Sequence, residues 1–165
     1  MQKIEGARSA TGFRFAVVTS RYNDFVTERL EAGALAALAK AGVSEADVTV
    51  VHVPGAFEIP IAAQHAAESG RYDAIVCLGC IIRGETPHFE YIASAVAHGL
   101  TAGAAATGVP MAFGVLTTNS VEEALARAGD GPSNKGWEAA TAAIEMAGVV
   151  AQLVQRPAAP EAQRK

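Results

Sequence analysis

Residues 74–88 read AIVCLGCIIRGETPH. The opening run, residues 74–78, is apolar without a charge and too short for a helix, so it reads as a strand buried on both faces. The stretch after it, residues 79–88, turns polar and enters a long helical pattern over residues 87–107. Phe89, Ile92, Val96 and Leu100 share one face of that helix. Thr86 is its expected cap, with Pro87 at the first helical position. A buried strand that feeds a helix through a short polar turn is one unit of an α/β fold. Working outward, the same unit recurs. Strands are expected at residues 13–19, 47–53 and 110–117, and helices at residues 24–41, 56–69, 121–128 and 137–154. Asn23 or Asp24 caps the first helix and Gly42 ends it. Pro60 falls in the first turns of the second helix, where proline is best tolerated. Strand–helix alternation implies parallel strands with right-handed crossovers. The expected fold is a three-layer αβα sandwich around a four-stranded parallel sheet, of flavodoxin-like type.

Composition bounds the rest. The chain has 165 residues, 50% apolar and 18% charged, with a net charge of −4. Length and apolar content give one domain, residues 1–154, able to bury a core without disulfides or metals. The polar Pro/Ala-rich tail, residues 155–165, is expected to be disordered. The acidic balance supplies no field for nucleic acid, and charges or histidines interrupt every helix-like apolar stretch, which excludes a membrane span. Two cysteines make no disulfide framework and the N-terminus lacks the apolar run of a signal peptide, so a cytoplasmic setting is expected. The 36 alanines and 16 glycines against 6% aromatics give helices that bury modest area, a hint that neighbouring subunits contribute to stability.

Ligands of open parallel sheets bind at the carboxyl ends of the strands. The four strand exits carry Ser20-Arg21-Tyr22-Asn23, Pro54-Gly55-Ala56-Phe57-Glu58, residues 79–88, and Thr117-Thr118-Asn119. They are expected to gather around one mouth. The third exit leads into a helix N-terminus, whose free N–H groups and dipole favour an anion such as phosphate. His88 lies in the first turn of that helix, where an imidazole can move protons near neutral pH, or be a surface residue and no more. His52 reads as a packed or edge histidine; His65 and His98 read as helix-surface residues. No histidine pair has metal-ligand spacing, so no metal is expected. Cys77 and Cys80 form a C-x-x-C, but Ile81 and Ile82 continue the apolar run, which favours packing over redox chemistry. Gly99 and Gly103 read as a close-packing pair. No nucleotide-binding glycine motif occurs. Arg127 and Lys135 flank a short link between the last two helices. They are either helix-end charges or, brought together, a phosphate clamp.

Taken together, these motifs resemble the 6,7-dimethyl-8-ribityllumazine synthase family of riboflavin biosynthesis. The matching stretches are Arg21-Tyr22-Asn23, residues 53–60 (VPGAFEIP), residues 82–92 (IRGETPHFEYI), residues 113–117 (FGVLT), Arg127-Ala128-Gly129 and residues 134–140 (NKGWEAA). The resemblance implies condensation of 5-amino-6-(D-ribitylamino)uracil with 3,4-dihydroxy-2-butanone 4-phosphate, through a Schiff base, loss of phosphate and ring closure, with no metal or organic cofactor. Carried over by position, Tyr22 stacks on the pyrimidine where the family often has Phe or Trp. Asn23, Ala56, Phe57 and Glu58 hold the pyrimidine and ribityl chain, and backbone at Cys80, Ile81 and Ile82 lines that pocket. Gly84, Glu85 and Thr86 cradle the phosphate, and His88 exchanges protons. Phe113, Arg127 and Lys135 come from the neighbouring subunit of a pentamer, Arg127 anchoring phosphate and Lys135 on the pyrimidine side. Twelve such pentamers close into a sixty-subunit shell in some members, and a riboflavin synthase is a candidate partner. The link at residues 129–136 is short enough for shell closure, with Pro132 a departure. The Ile4-Glu5-Gly6 segment is expected on a neighbour's sheet edge. Two alternatives stay open at this point: a related riboflavin synthase of similar fold, or a non-catalytic shell or ligand-binding protein.

Overall fold

A computed structural model describes residues 1–6 and 8–154; the expected disordered tail lies outside the described residues. Four strands, β1 (Phe15–Ser20), β2 (Val48–Val53), β3 (Ala74–Ile82) and β4 (Met111–Thr118), form a parallel sheet in the order β2-β1-β3-β4. Five helices cover it: α1 (Asp24–Lys40), α2 (Ile59–Glu68), α3 (His88–Thr107), α4 (Val121–Ala126) and α5 (Lys135–Val154). This is the expected three-layer α/β sandwich of flavodoxin-like type.

Side chains alternate across the sheet with the period of two that extended backbone imposes. Phe15, Val17, Val76 and Leu78 face α1 and α5 and pack with Leu30, Leu38, Ala140 and Ile144. Ala16, Val18, Ile75 and Cys77 face α2 and α3 and pack with Ile59, Ala63, Val96 and Leu100. Most helix residues in the α1/α5 core are alanine, and on the α2/α3 side the helix seams are set by glycine. A Cβ at Gly99 of α3 would meet the Pro60 ring at 2.7 Å, and one at Gly103 would meet Met111 at 3.1 Å. The expected close-packing pair thus seats α3 on α2 and β4.

Three boundaries differ from the sequence reading in ways that matter for the site. β3 runs four residues past Leu78, through Ile82. Gly79 stays in the strand because β4 pairs with it and with the three residues after it, from Val115 to Thr118; a Cβ there would meet Ile59 Cδ1 at 2.9 Å, so the glycine admits α2 and does not end the strand. The helix expected from residue 56 begins as a 3₁₀ turn at Ala56–Glu58, and α2 proper starts at Ile59 with Pro60 in its first turn. At α3, Pro87 occupies the cap position and Thr86 makes no capping hydrogen bond. The helix starts one residue later than expected, at His88, so the cap position falls on Pro87, which has no side-chain acceptor.

β1 exits toward α1 on one face, while β3 exits toward α3 on the other. The crevice between diverging connections is where such sheets bind ligands. Both outer strands, β2 and β4, have no strand partner on their outer edges among the described residues. The segment expected on a neighbour's edge lies, in the single chain, along α5. Gly6 rests on the Glu145 backbone, and Gln152 Nε2 donates to the Glu5 carbonyl at 2.8 Å.

Candidate active site

Three of the four strand exits are stitched into one cavity. Arg21 N–H donates to Val53 O at 2.8 Å and Tyr22 N–H to Pro54 O at 3.0 Å, tying the β1 exit to the β2 exit. Asn23 ties it to β3: its Nδ2 donates to Cys80 O at 2.9 Å. To reach it, Asn23 adopts φ 63°, ψ 45°, the one positive φ outside glycine among the described residues. Asparagine tolerates that left-handed conformation better than most residues. Asn23 does sit at the start of α1, but its side chain makes no capping bond; it is spent on the sheet instead.

The resulting cavity measures about 960 Å³, ample for a drug-sized ligand. Tyr22 and Phe57 stand at its rim, 73% and 61% exposed. Asn23, Ala56 and Glu58 line one wall and Cys80, Ile81 and Ile82 the floor. Gly84, Thr86 and His88 complete it at the start of α3. The backbone N–H groups of residues 84–86 donate to nothing among the described residues, so they are free for an anion at the positive end of a 20-residue helix. Glu85 is exposed and does not line the cavity; only its backbone is available to the cradle.

The fourth exit does not join this mouth. Thr117 lines a second, smaller cavity of about 410 Å³ with Phe113, Arg127, Lys135 and Glu138. The reason is topological: β4 is the edge strand beyond β3, and its connection through α4 returns to the α1/α5 face. Arg127 follows α4, its Nη1 donating to Glu123 O at 2.9 Å. Lys135 opens α5, its Nζ 2.7 and 2.9 Å from the two Glu138 carboxylate oxygens. Lys135 N–H donates to Arg127 O at 2.9 Å, so the two cations are backbone neighbours. Phe113 is half exposed on the open edge. No residue is common to the two linings.

The remaining candidates separate cleanly. His52 is an exposed edge-strand residue 2.9 Å from Glu31 Oε2. His65 pairs with Glu68 at 3.5 Å, and His98 bonds the Ser94 carbonyl of its own helix. Cys77 and Cys80, three residues apart on one strand, fall on opposite faces of the sheet and into different cores. Burial pushes both thiols up, Cys80 to about 11. They are packing residues, held protonated at neutral pH. Among the described residues no group of three or more His, Cys, Asp or Glu is placed to hold a metal ion, and no helix is long and apolar enough to cross a membrane.

The family model described as 6,7-dimethyl-8-ribityllumazine synthase matches residues 12–151. The chain belongs to the 6,7-dimethyl-8-ribityllumazine synthase family. It is a transferase of riboflavin biosynthesis, condensing 5-amino-6-(D-ribitylamino)uracil with 3,4-dihydroxy-2-butanone 4-phosphate to the lumazine, with release of phosphate and water. The matched span contains every residue of both cavities. What the sequence reading missed is Asn134, quoted within a matching stretch but given no role. Its partners lie up to 105 residues away in the chain, and no local pattern points to them.

Proposed function

We propose that one catalytic site is assembled from the larger cavity of one subunit and the smaller cavity of its neighbour in a pentamer. The observation that carries this reading is the division of the chemistry. An aromatic platform, a carboxylate, free N–H groups and an imidazole line one cavity, while the two cations and the Phe113 ring line the other. Each lining alone is half of what a two-substrate condensation with a phosphate leaving group requires.

In the assembled site the pyrimidine stacks on Tyr22 with Phe57 beside it, and Glu58 accepts hydrogen bonds from ribityl hydroxyls. Asn23 and the backbone of residues 80–82 hold the ring edge. The phosphate of the second substrate takes the free N–H groups of residues 84–86 from one side and the Arg127 fork from the other. Lys135 and Phe113 close the pyrimidine end. Glu138 yields readily, since a half-exposed ion pair contributes only about 0–1 kcal/mol. The amine of the pyrimidine attacks the ketone carbonyl and water leaves to give a Schiff base. Phosphate is then lost, and the ribitylamino nitrogen closes the ring onto the remaining carbonyl carbon with loss of a second water. His88, at the mouth beside the phosphate cradle, moves protons between amine, carbonyl oxygen and leaving group. Holding both reactants together supplies much of the remaining acceleration.

The pentamer also accounts for the open edges of β2 and β4 and for the exposed Ile61 and Tyr91 on the α2/α3 face, 62% and 74% exposed. The short link at residues 129–136 favours closure of twelve pentamers into a shell, with a riboflavin synthase as a partner that consumes the product. Two protonated, separated cysteines suit a cytoplasmic setting. The test is to mix the protein with both substrates, follow lumazine fluorescence, and sediment the same sample. Lumazine formation by particles of five or more chains is expected. A fully active monomer overturns the composite site, because Arg127 then has no route to His88.

A further inference from the structure

Between the two cations of the smaller cavity lies a buried asparagine whose amide is fully used. Asn134 is 2% exposed. Its Oδ1 accepts from Gly136 N–H at 2.8 Å and Trp137 N–H at 3.2 Å, the N-cap pattern for α5. Its Nδ2 donates to Gly129 O at 2.8 Å and to Arg29 O of α1 at 3.0 Å. An N-cap needs only an oxygen, so serine, threonine or aspartate would serve. The two donated bonds are what demand an amide. One closes the link between α4 and α5 on itself; the other fastens that link to a helix of the rigid core. Space has been cleared for the group. A Cβ at Gly33 of α1 would lie 2.5 Å from Asn134 Cγ, and one at Gly136 would overlap the Leu30 carbonyl.

We infer that Asn134 is a positioning residue that sets where Arg127, on the phosphate side of the site, and Lys135, on its pyrimidine side, stand. Arg127 precedes the closed link and Lys135 follows Asn134 directly; their backbones are joined by the Lys135 N–H to Arg127 O bond. Both cations sit on the segment that Asn134 pins to α1, and among the described residues neither side chain is anchored to the core: Arg127 bonds the Glu123 carbonyl of the helix it follows, and Lys135 bonds Glu138 of its own. Displacing reacting or binding groups by about 1 Å can cost on the order of a hundredfold, so the clamp depends on the pin. This inference rests on Arg127 being the phosphate anchor.

The test compares Asn134→Asp, Asn134→Ser and Arg127→Ala, measuring kcat, the KM of each substrate, and inhibition by inorganic phosphate. Asn134→Asp keeps the cap oxygen and replaces the two donations with repulsion from the Arg29 and Gly129 carbonyls. The expected result is a KM for the butanone phosphate raised about tenfold, phosphate inhibition weakened in parallel, and a smaller rise in the KM for the pyrimidine, which loses only Lys135 and keeps the Tyr22 platform. Partial unfolding lowers the active fraction and hence kcat, but leaves KM untouched, so instability alone does not imitate this pattern. Should Asn134→Asp fail to fold, Asn134→Ser carries the same expectation without the added charge. Unchanged KM values, or equal rises for both substrates, overturn the inference while Arg127→Ala still raises the phosphate KM. An Arg127→Ala enzyme with a normal phosphate KM overturns the anchor reading and this inference with it.

Discussion

Two damaged chains should repair each other. His88→Ala removes the imidazole from the larger cavity, and Arg127→Ala removes the guanidinium from the smaller one. The linings have no residue in common, so each variant keeps the other half intact. Alone, each is slow. Loss of positioned proton transfer costs ~10²–10⁴-fold. Loss of a charge-assisted bond costs roughly 1.5–3 kcal/mol, or about ten- to a hundredfold at limiting phosphate substrate. In a head-to-tail ring, every boundary takes one lining from each of two neighbours. A random one-to-one mixture then has roughly a quarter of its boundaries with both linings whole, because two independent choices of about one half must both succeed. The two chains are unfolded together, refolded, and assayed by lumazine fluorescence at limiting phosphate substrate. Recovery of about a quarter of the native rate is expected, roughly 2.5- to 25-fold above the faster parent. Native mass spectrometry shows whether both chains share particles. Mixed particles no faster than the mean of their parents refute the composite site and leave each subunit to work alone.

Arg127→Ala should weaken the phosphate substrate selectively, and separate KM determinations for the two substrates check this. Tyr22→Ala should do the reverse, since stacking on an aromatic ring contributes about 1–3 kcal/mol per base; titration with a ribitylated pyrimidine analogue reads it. Asn23→Gly keeps the left-handed conformation and loses the bond to Cys80 O, whereas Asn23→Ala loses both, so Ala should melt lower, by roughly 1–2 kcal/mol beyond Gly. Neither cysteine of the native protein should react with a thiol reagent at neutral pH, while the unfolded chain should lose both thiols. Because burial raises the Cys80 pKa from 9.0 to about 11, the folded state keeps its proton longer than the unfolded one. Stability from this thiol is full below about pH 9 and lost as pH rises through about 11, which alkaline denaturation of the wild type and a Cys80→Ala variant would compare.

The fold and the larger cavity were legible because their signals are local. Strand–helix alternation, the buried run in β3 and the helix start at His88 are each written within a dozen residues, and parallel topology follows from the connections. Placing Cys77 and Cys80 on opposite faces needs only the strand period, once β3 is known to continue past Gly79. That continuation was not legible. A glycine after an apolar run reads equally as a strand end, and only the approach of Ile59 from α2 shows that it is a contact. Thr86 read as a cap because threonine is a favoured cap and proline a favoured first helical residue; the helix starts one residue later, which puts Pro87 at the cap position. The resemblance named Arg127, Lys135 and Phe113 and implied that a neighbour supplies them; the second cavity that they line, and the failure of the fourth strand exit to join the first, come from β4 lying at the sheet edge. Asn134 shows the limit most plainly. Its type and neighbours announce an N-cap, whereas the two bonds that require an amide reach the Gly129 and Arg29 carbonyls. A sequence determines which groups a residue offers; only the folded chain determines which distant carbonyls are there to take them.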